Sequence, residues 1–226
     1  MKLQKKLLFL ALFTIVGFAS LQIPFNKLAG SGVSFTLFDF FGPIAGSFLG
    51  PVLGIGSVLA VEVFNMFIKH LPWTTASIIR LFPTLFAVYY FASVNEQKRR
   101  EATHFASKWI LAVPVISIIA FLAHPIGRQV PYYTLFWFIP LIAFKFRNNL
   151  YMRSLGATFT AHAVGGAARI WALNLPAVVW KGLIPVVIEE RLLFASGIAI
   201  SYIVTKKTLA FLASKHVLPE LKISQS

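Results

Sequence analysis

Residues 7–23 and 192–204 contain no charged side chain, and residues 76–92 contain one, Arg80. At about 1.5 Å of rise per helical residue, such runs cover much of the roughly 30 Å hydrocarbon layer of a bilayer. A chain built from repeated apolar runs has one stable solution. In lipid every backbone N–H and C=O must be satisfied within its own segment, so the runs must be helices. Charged residues are 12% of the chain, about half the share of a soluble domain, and they bunch between the runs. The sequence therefore predicts an all-α fold. It is a polytopic transmembrane helical bundle, a single integral membrane domain over residues 1–226, multi-pass in the cell membrane with the lipid bilayer as its main solvent.

Eight apolar segments are legible, at 5–23, 35–49, 51–68, 76–94, 108–124, 131–146, 154–173 and 181–204. A crossing helix needs about 20 residues, so the short second and sixth leave six to eight membrane segments. Charge orients them. With the N-terminus inside and every segment crossing, 14 of the 21 Lys and Arg residues fall on the inner side. They lie in an N-terminal basic flank (1–6), a basic loop (95–107, with Lys98-Arg99-Arg100) and Lys108 just after it, the 145–153 region and a C-terminal basic tail (205–226). The positive-inside rule then puts both termini in the cytoplasm. Residues 1–19 also fit a cleaved signal, with Gly17-Phe18-Ala19 as a peptidase site, but the run is long enough to stay as a first helix. Trp73, Trp109, Trp137, Trp171 and Trp180 fall near span ends, as an interfacial belt requires.

Composition removes several function classes. The chain has no cysteine, which excludes disulfides, thiolate metal sites and a cysteine nucleophile. A net charge of +14 does not make it a nucleic-acid binder, because no basic stripe is interleaved with stacking aromatics on a soluble surface. No Walker motif is present, so the chain does not hydrolyse ATP by itself. No Gly-x-Ser-x-Gly elbow is present either.

The polar groups inside the runs are therefore the candidates for function. Asp39, Glu62, Glu189 and Glu190 are the acids within predicted spans. An intramembrane charge is costly and demands a partner or a wet cavity. The topology puts Asp39, Glu62, Asn65, Arg80, His124, Arg128, Arg169, Asn174, Lys181 and the Glu189-Glu190-Arg191 group in the outer half or just beyond it. Side chains remote in sequence thus converge on one depth. Two explanations stand: a cavity open to the outside, or internal ion pairs such as Glu62 with Arg80 and Glu189 or Glu190 with Arg169. In residues 154–173, His162, Gly166 and Arg169 share one helical face at steps of four and three. Arg169 can clamp a carboxylate or phosphate with its planar fork, and His162 can hydrogen-bond a solute or a neighbouring helix. Glu189 and Glu190 point about 100° apart on a helix, so they do not share one site.

Gly42, Gly46, Gly50 and Gly54 recur every four residues, a smooth face that admits a neighbour's backbone or a solute. Pro43 and Pro51 interrupt it and predict broken helices. This stretch, Phe41-Gly42-Pro43-Ile44-Ala45-Gly46-Ser47-Phe48-Leu49-Gly50, resembles the substrate-binding S components of energy-coupling-factor (ECF) transporters. Those are small, very hydrophobic bundles with a basic cytoplasmic side and an early Gly-Pro-rich helix pair. The resemblance covers overall layout and residues 35–68. It implies a subunit that captures a vitamin or micronutrient and works with a membrane coupling protein and ATPases on other chains.

The resulting expectation is a transport or solute-binding subunit that takes up a small polar or anionic solute from the outer side. Its substrate-binding residues would be Arg169, His162, Glu62, Asn65, Arg80, Glu189 and Lys181, with no catalytic residue, metal or cofactor. One alternative is an intramembrane metal-dependent hydrolase using His124, His162 and Glu189 or Glu190. Its weakness is spacing: Arg191 follows Glu190 directly, whereas prenyl-protease-type enzymes carry that arginine four residues later. The other alternative is a scaffold whose polar groups only pair with one another.

Overall fold

The computed structural model of the protein describes residues 3–27, 34–93, 109–173 and 175–214, and it is a helical bundle with one short β-hairpin. The expected basic loop at 95–107 and the tail beyond residue 214 lie outside the described residues, as does Asn174. Helix α1 (Leu3–Leu21) leads into strands β1 (Pro24–Lys27) and β2 (Ser34–Thr36), which pair antiparallel with Pro24 opposite Thr36. Helix α2 (Phe38–Phe41), a 3₁₀ turn (Gly42–Ile44) and α3 (Ala45–Leu49) follow. Next come α4 (Pro51–Ile68) and α5 (Thr75–Ser93). The second half holds α6 (Ala112–Ala123), α7 (Pro125–Gln129), a 3₁₀ stretch (Pro131–Phe138), α8 (Ile139–Lys145), α9 (Leu150–Leu173) and α10 (Ala177–Ser214).

The breaks have local causes. Gly50 takes φ 81°, ψ 173°, a conformation that side-chain-bearing residues rarely adopt, and Pro51 then starts α4 at the position where its missing N–H costs nothing. The second apolar run (35–49) is accordingly a strand end and three short helical pieces rather than a span. The sixth (131–146) begins as 3₁₀ turns. Helix α10 departs from expectation in the other direction. It has 38 residues and absorbs residues 205–214 of the expected tail, because nothing after Pro185 in its sequence forces a stop.

Helix α9 is the hub and packs against α5, α6, α8 and α10. The Gly ladder is used in packing around α3. A Cβ on Gly46 would lie 2.2 Å from the Val88 carbonyl oxygen and 2.9 Å from the Ala92 Cβ. One on Gly54 would lie 3.0 Å from the Ala45 backbone. Gly46→Ala must therefore push α3 off α5. We expect a loss of about 1–3 kcal/mol, the usual cost of overpacking, read as a lower unfolding temperature of the purified protein.

The outside of the bundle is apolar. Val52 on α4 is 81% exposed, and Ile116, Ile119, Ile142 and Ile200 are also exposed. Helices α4 and α5 are long and apolar enough to cross a membrane. The tryptophans divide: Trp73, Trp109 and Trp171 are exposed, whereas Trp137 and Trp180 are buried, so an interfacial belt of all five does not form. Trp180 lines the cavity described next, and Trp137 lies against its His162.

Candidate functional site

Three helix stripes face one another around a cavity of about 130 Å³. On α9 the stripe is Thr158, His162, Gly165, Arg169 and Leu173, at steps of three and four, the spacing of one helical face. On α10 it is Trp180, Leu183, Val187, Glu190, Arg191 and Phe194. Pro83, Thr84 and Ala87 come from α5, and Phe35 and Asp39 from the hairpin and α2. The lining thus uses the middle of α5, the N-terminal half of α10 and the C-terminal part of α9. Helices α5 and α9 run antiparallel, with Gly156 against Tyr90 and Gly165 against Pro83, so the lining extends from mid-bundle along α9 away from the basic 145–153 region.

Arg191 and Glu190 are each 7% exposed. Arg191 donates from Nη1 to Thr158 Oγ1 at 3.2 Å and from Nη2 to Glu190 Oε2 at 3.4 Å. Its guanidinium also lies 4.3 Å from the Phe194 ring centre and 5.4 Å from that of Phe35. Burying a charge is costly, and a partner of opposite sign plus aromatic faces offsets much of that. The offset is incomplete. Arg191 Nε and Glu190 Oε1 are buried with no hydrogen-bond partner. Orphaned polar atoms are rare in native interiors and call for water, an ion or a ligand.

His162 is fixed from both sides. Trp137 Nε1 donates to its Nδ1 at 3.1 Å, and its Nε2 lies 3.1 Å from the Tyr133 hydroxyl. An indole N–H only donates, so Nδ1 must be the bare acceptor and the ring proton sits on Nε2. That proton is donated to the Tyr133 oxygen. The Tyr133 O–H is then left free to donate elsewhere, and Tyr133 lines the cavity. His162 therefore acts on the cavity through Tyr133.

Further charges surround this core. Asp39 Oδ2 accepts from the Thr36 backbone N–H at 2.7 Å and lies within electrostatic reach of Arg80 and Arg191. Glu62 sits against Thr84, near Asp39 and Arg80, with its Oε2 buried and unpartnered. Arg169 lines the cavity with Tyr133, Arg80 and Glu190 in electrostatic reach, but no hydrogen bond or ion pair closes on it among the described residues.

Of the residues expected from sequence, His162 and Arg169 line the cavity, and Glu62 and Arg80 stand close to it. Asn65 instead accepts from Gln22 Nε2 at 3.0 Å, tying α4 to the end of α1. Glu189 and Lys181 are exposed and absent from the wall. The acid that faces inward is Glu190, because the apolar face of α10 runs through Trp180, Leu183, Val187 and Phe194, and steps of three and four pass over position 190. That signal was present in the sequence. Arg191, Thr158, Tyr133 and Trp137 belong to the site as well. Tyr133 and Trp137 gave only an i, i+4 aromatic spacing, which does not name their partner. His124 acts locally, where its Nδ1 accepts from the Ile126 N–H at 3.2 Å and caps α7. Among the described residues no three His, Asp or Glu side chains converge to hold a metal ion.

Comparison with known proteins gives one kind of likeness. The uncharacterized protein MJ0923 of Methanocaldococcus jannaschii is 26% identical over 208 residues, covering 84% of this chain and 67% of that protein. No family model matches the chain, and no solved structure does.

Proposed function

We propose that the protein is a multi-pass membrane subunit that captures a small polar solute from the outer side for uptake. The observation that carries this is the cavity: about 130 Å³, walled by helices remote in sequence, with orphaned polar atoms of Glu190 and Arg191 in its lining. A cluster that served only to lock the bundle would satisfy its own atoms. The apolar exterior and the charge asymmetry of the sequence support an N-in, C-in membrane orientation, with the cavity toward the outer leaflet. At one water per about 10–15 Å³ of such volume, the cavity admits a solute of roughly ten non-hydrogen atoms. Arg169 is the leading ligand contact, with Tyr133 held as a donor by His162. Energy for transport would come from other chains, in the manner of the S components that the Gly-Pro stretch resembles: a membrane coupling protein and ATPases.

The test is ligand-dependent stability in lipid nanodiscs. A solute present at about 100 times its Kd stabilises the folded state by about 2.7 kcal/mol, so fractions of a metabolite extract should raise the unfolding temperature. Arg169→Met should fold, since it breaks no ion pair, and should lose most of that shift. If no fraction stabilises the wild type, or if Arg169→Met responds equally, solute capture at this site is wrong. The metal-dependent hydrolase draws no support from the arrangement of His124, His162 and Glu190. Stoichiometric zinc lost on mutating His162 would favour it.

A further inference from the structure

The cavity lining carries both signs. Arg169 and Arg191 are matched by Asp39 and Glu190, and Arg80 and Glu62 behind them add one of each. A simple anion entering here meets two carboxylates, and a simple cation meets two guanidinium groups. Arg169 and Glu190 lie within electrostatic reach of one another, yet no ion pair closes between them; the ion pair of Glu190 is with Arg191, at 3.4 Å. Glu190 is 7% exposed and its Oε1 is unpartnered. Tyr133, with its hydroxyl proton freed by the His162 Nε2–H, also lies near Arg169 and Glu190. The site therefore presents two donors, Arg169 and Tyr133, and near them one buried, unsatisfied carboxylate oxygen.

Building on the solute-capture proposal, we infer that the solute is amphoteric: an anionic group is held by Arg169 and Tyr133, and an N–H donor is held by Glu190 Oε1. The body between the two groups packs on aromatic rings: Phe35 and Phe194, edge to face near Arg191 at 4.7 Å between ring centres, and Trp180, which also lines the cavity. This completes the hydrogen bonding of Glu190 and gives Arg169 its counter-charge. It also makes the equal numbers of both charges a means of selection, since a singly charged solute leaves one buried group unpaired.

The experiment uses the full chain in nanodiscs and probes of matched shape, tested to about 10 mM, ample for ligands of this size. The amphoteric probes are 4-(aminomethyl)benzoate and the flexible 6-aminohexanoate. The singly charged controls are 4-methylbenzoate, hexanoate and 4-methylbenzylamine. At least one amphoteric probe should raise the unfolding temperature with a Kd at least about tenfold below those of its singly charged analogues, because a charged hydrogen bond is lost in each control. Arg169→Met should abolish the advantage over the amine control. Glu190→Gln should abolish the advantage over the carboxylate controls, and the wild-type comparison stands even if that variant does not fold. Equal binding of 4-methylbenzoate or hexanoate overturns the amphoteric assignment and leaves solute capture standing. Absence of any shift with all five probes also overturns it, whereas solute capture falls only if the metabolite fractions fail as well.

Discussion

Arg191→Ala is expected to destabilise the protein by about 3–5 kcal/mol, the cost of leaving a buried partner charge uncompensated. The reason lies in what remains. Glu190 is 7% exposed and its sole ion pair among the described residues is with Arg191. Thr158 also loses the donor to its hydroxyl oxygen, and the Phe194 and Phe35 rings lose the cation that lies over them. The double variant Arg191→Met with Glu190→Gln removes both charges while keeping volume, so it should recover most of the loss. Thermal unfolding of the three proteins in the same nanodiscs decides it. A double variant no more stable than Arg191→Ala would mean that packing, not an unpaired charge, sets the cost.

Trp137→Ala should lose about 3 kcal/mol, the lower end of the range for such truncations. The ring is fully buried, lies 5.1 Å from Phe121 between ring centres and fits where Gly166 has no side chain, a Cβ there falling 2.6 Å from it. A cavity replaces those contacts. With the bundle in lipid, as proposed above, the lower end applies, since lipid tails are as apolar as the core and little transfer energy is at stake. Trp137→Phe keeps most of the volume and removes the N–H. It should cost about 1–3 kcal/mol through an unsatisfied His162 Nδ1, and it should weaken solute binding, because His162 is then free to change tautomer and Tyr133 loses its fixed donor direction. A Trp137→Phe protein with unchanged stability and unchanged affinity would refute the tautomer assignment.

Several parts of this arrangement were legible in the chain. The α9 stripe follows from His162, Gly166 and Arg169 standing at steps of four and three, and the broken helices follow from Gly50-Pro51. The choice of Glu190 over Glu189 was also available, by extending the face of α10 from Trp180 to Phe194. Lys181 and Glu189 drew attention by charge alone, and charge does not report which way a helix turns. The pairing of Trp137 and Tyr133 with His162 was not available. It joins residues 25 and 29 positions apart across two elements, and the aromatic spacing in residues 131–138 fits a bare packing stripe equally well.

By itself the sequence determined that the chain is a bundle of apolar helices, because long apolar runs with few charges bury best as helices that satisfy their own backbone groups. Tertiary structure alone decided which charges meet. Packing of α9 against α10 brought Thr158 to Arg191, and the approach of the 131–138 turns to α9 set the tautomer of His162. Those outcomes depend on packing between distant segments, and no local preference of the chain encodes them.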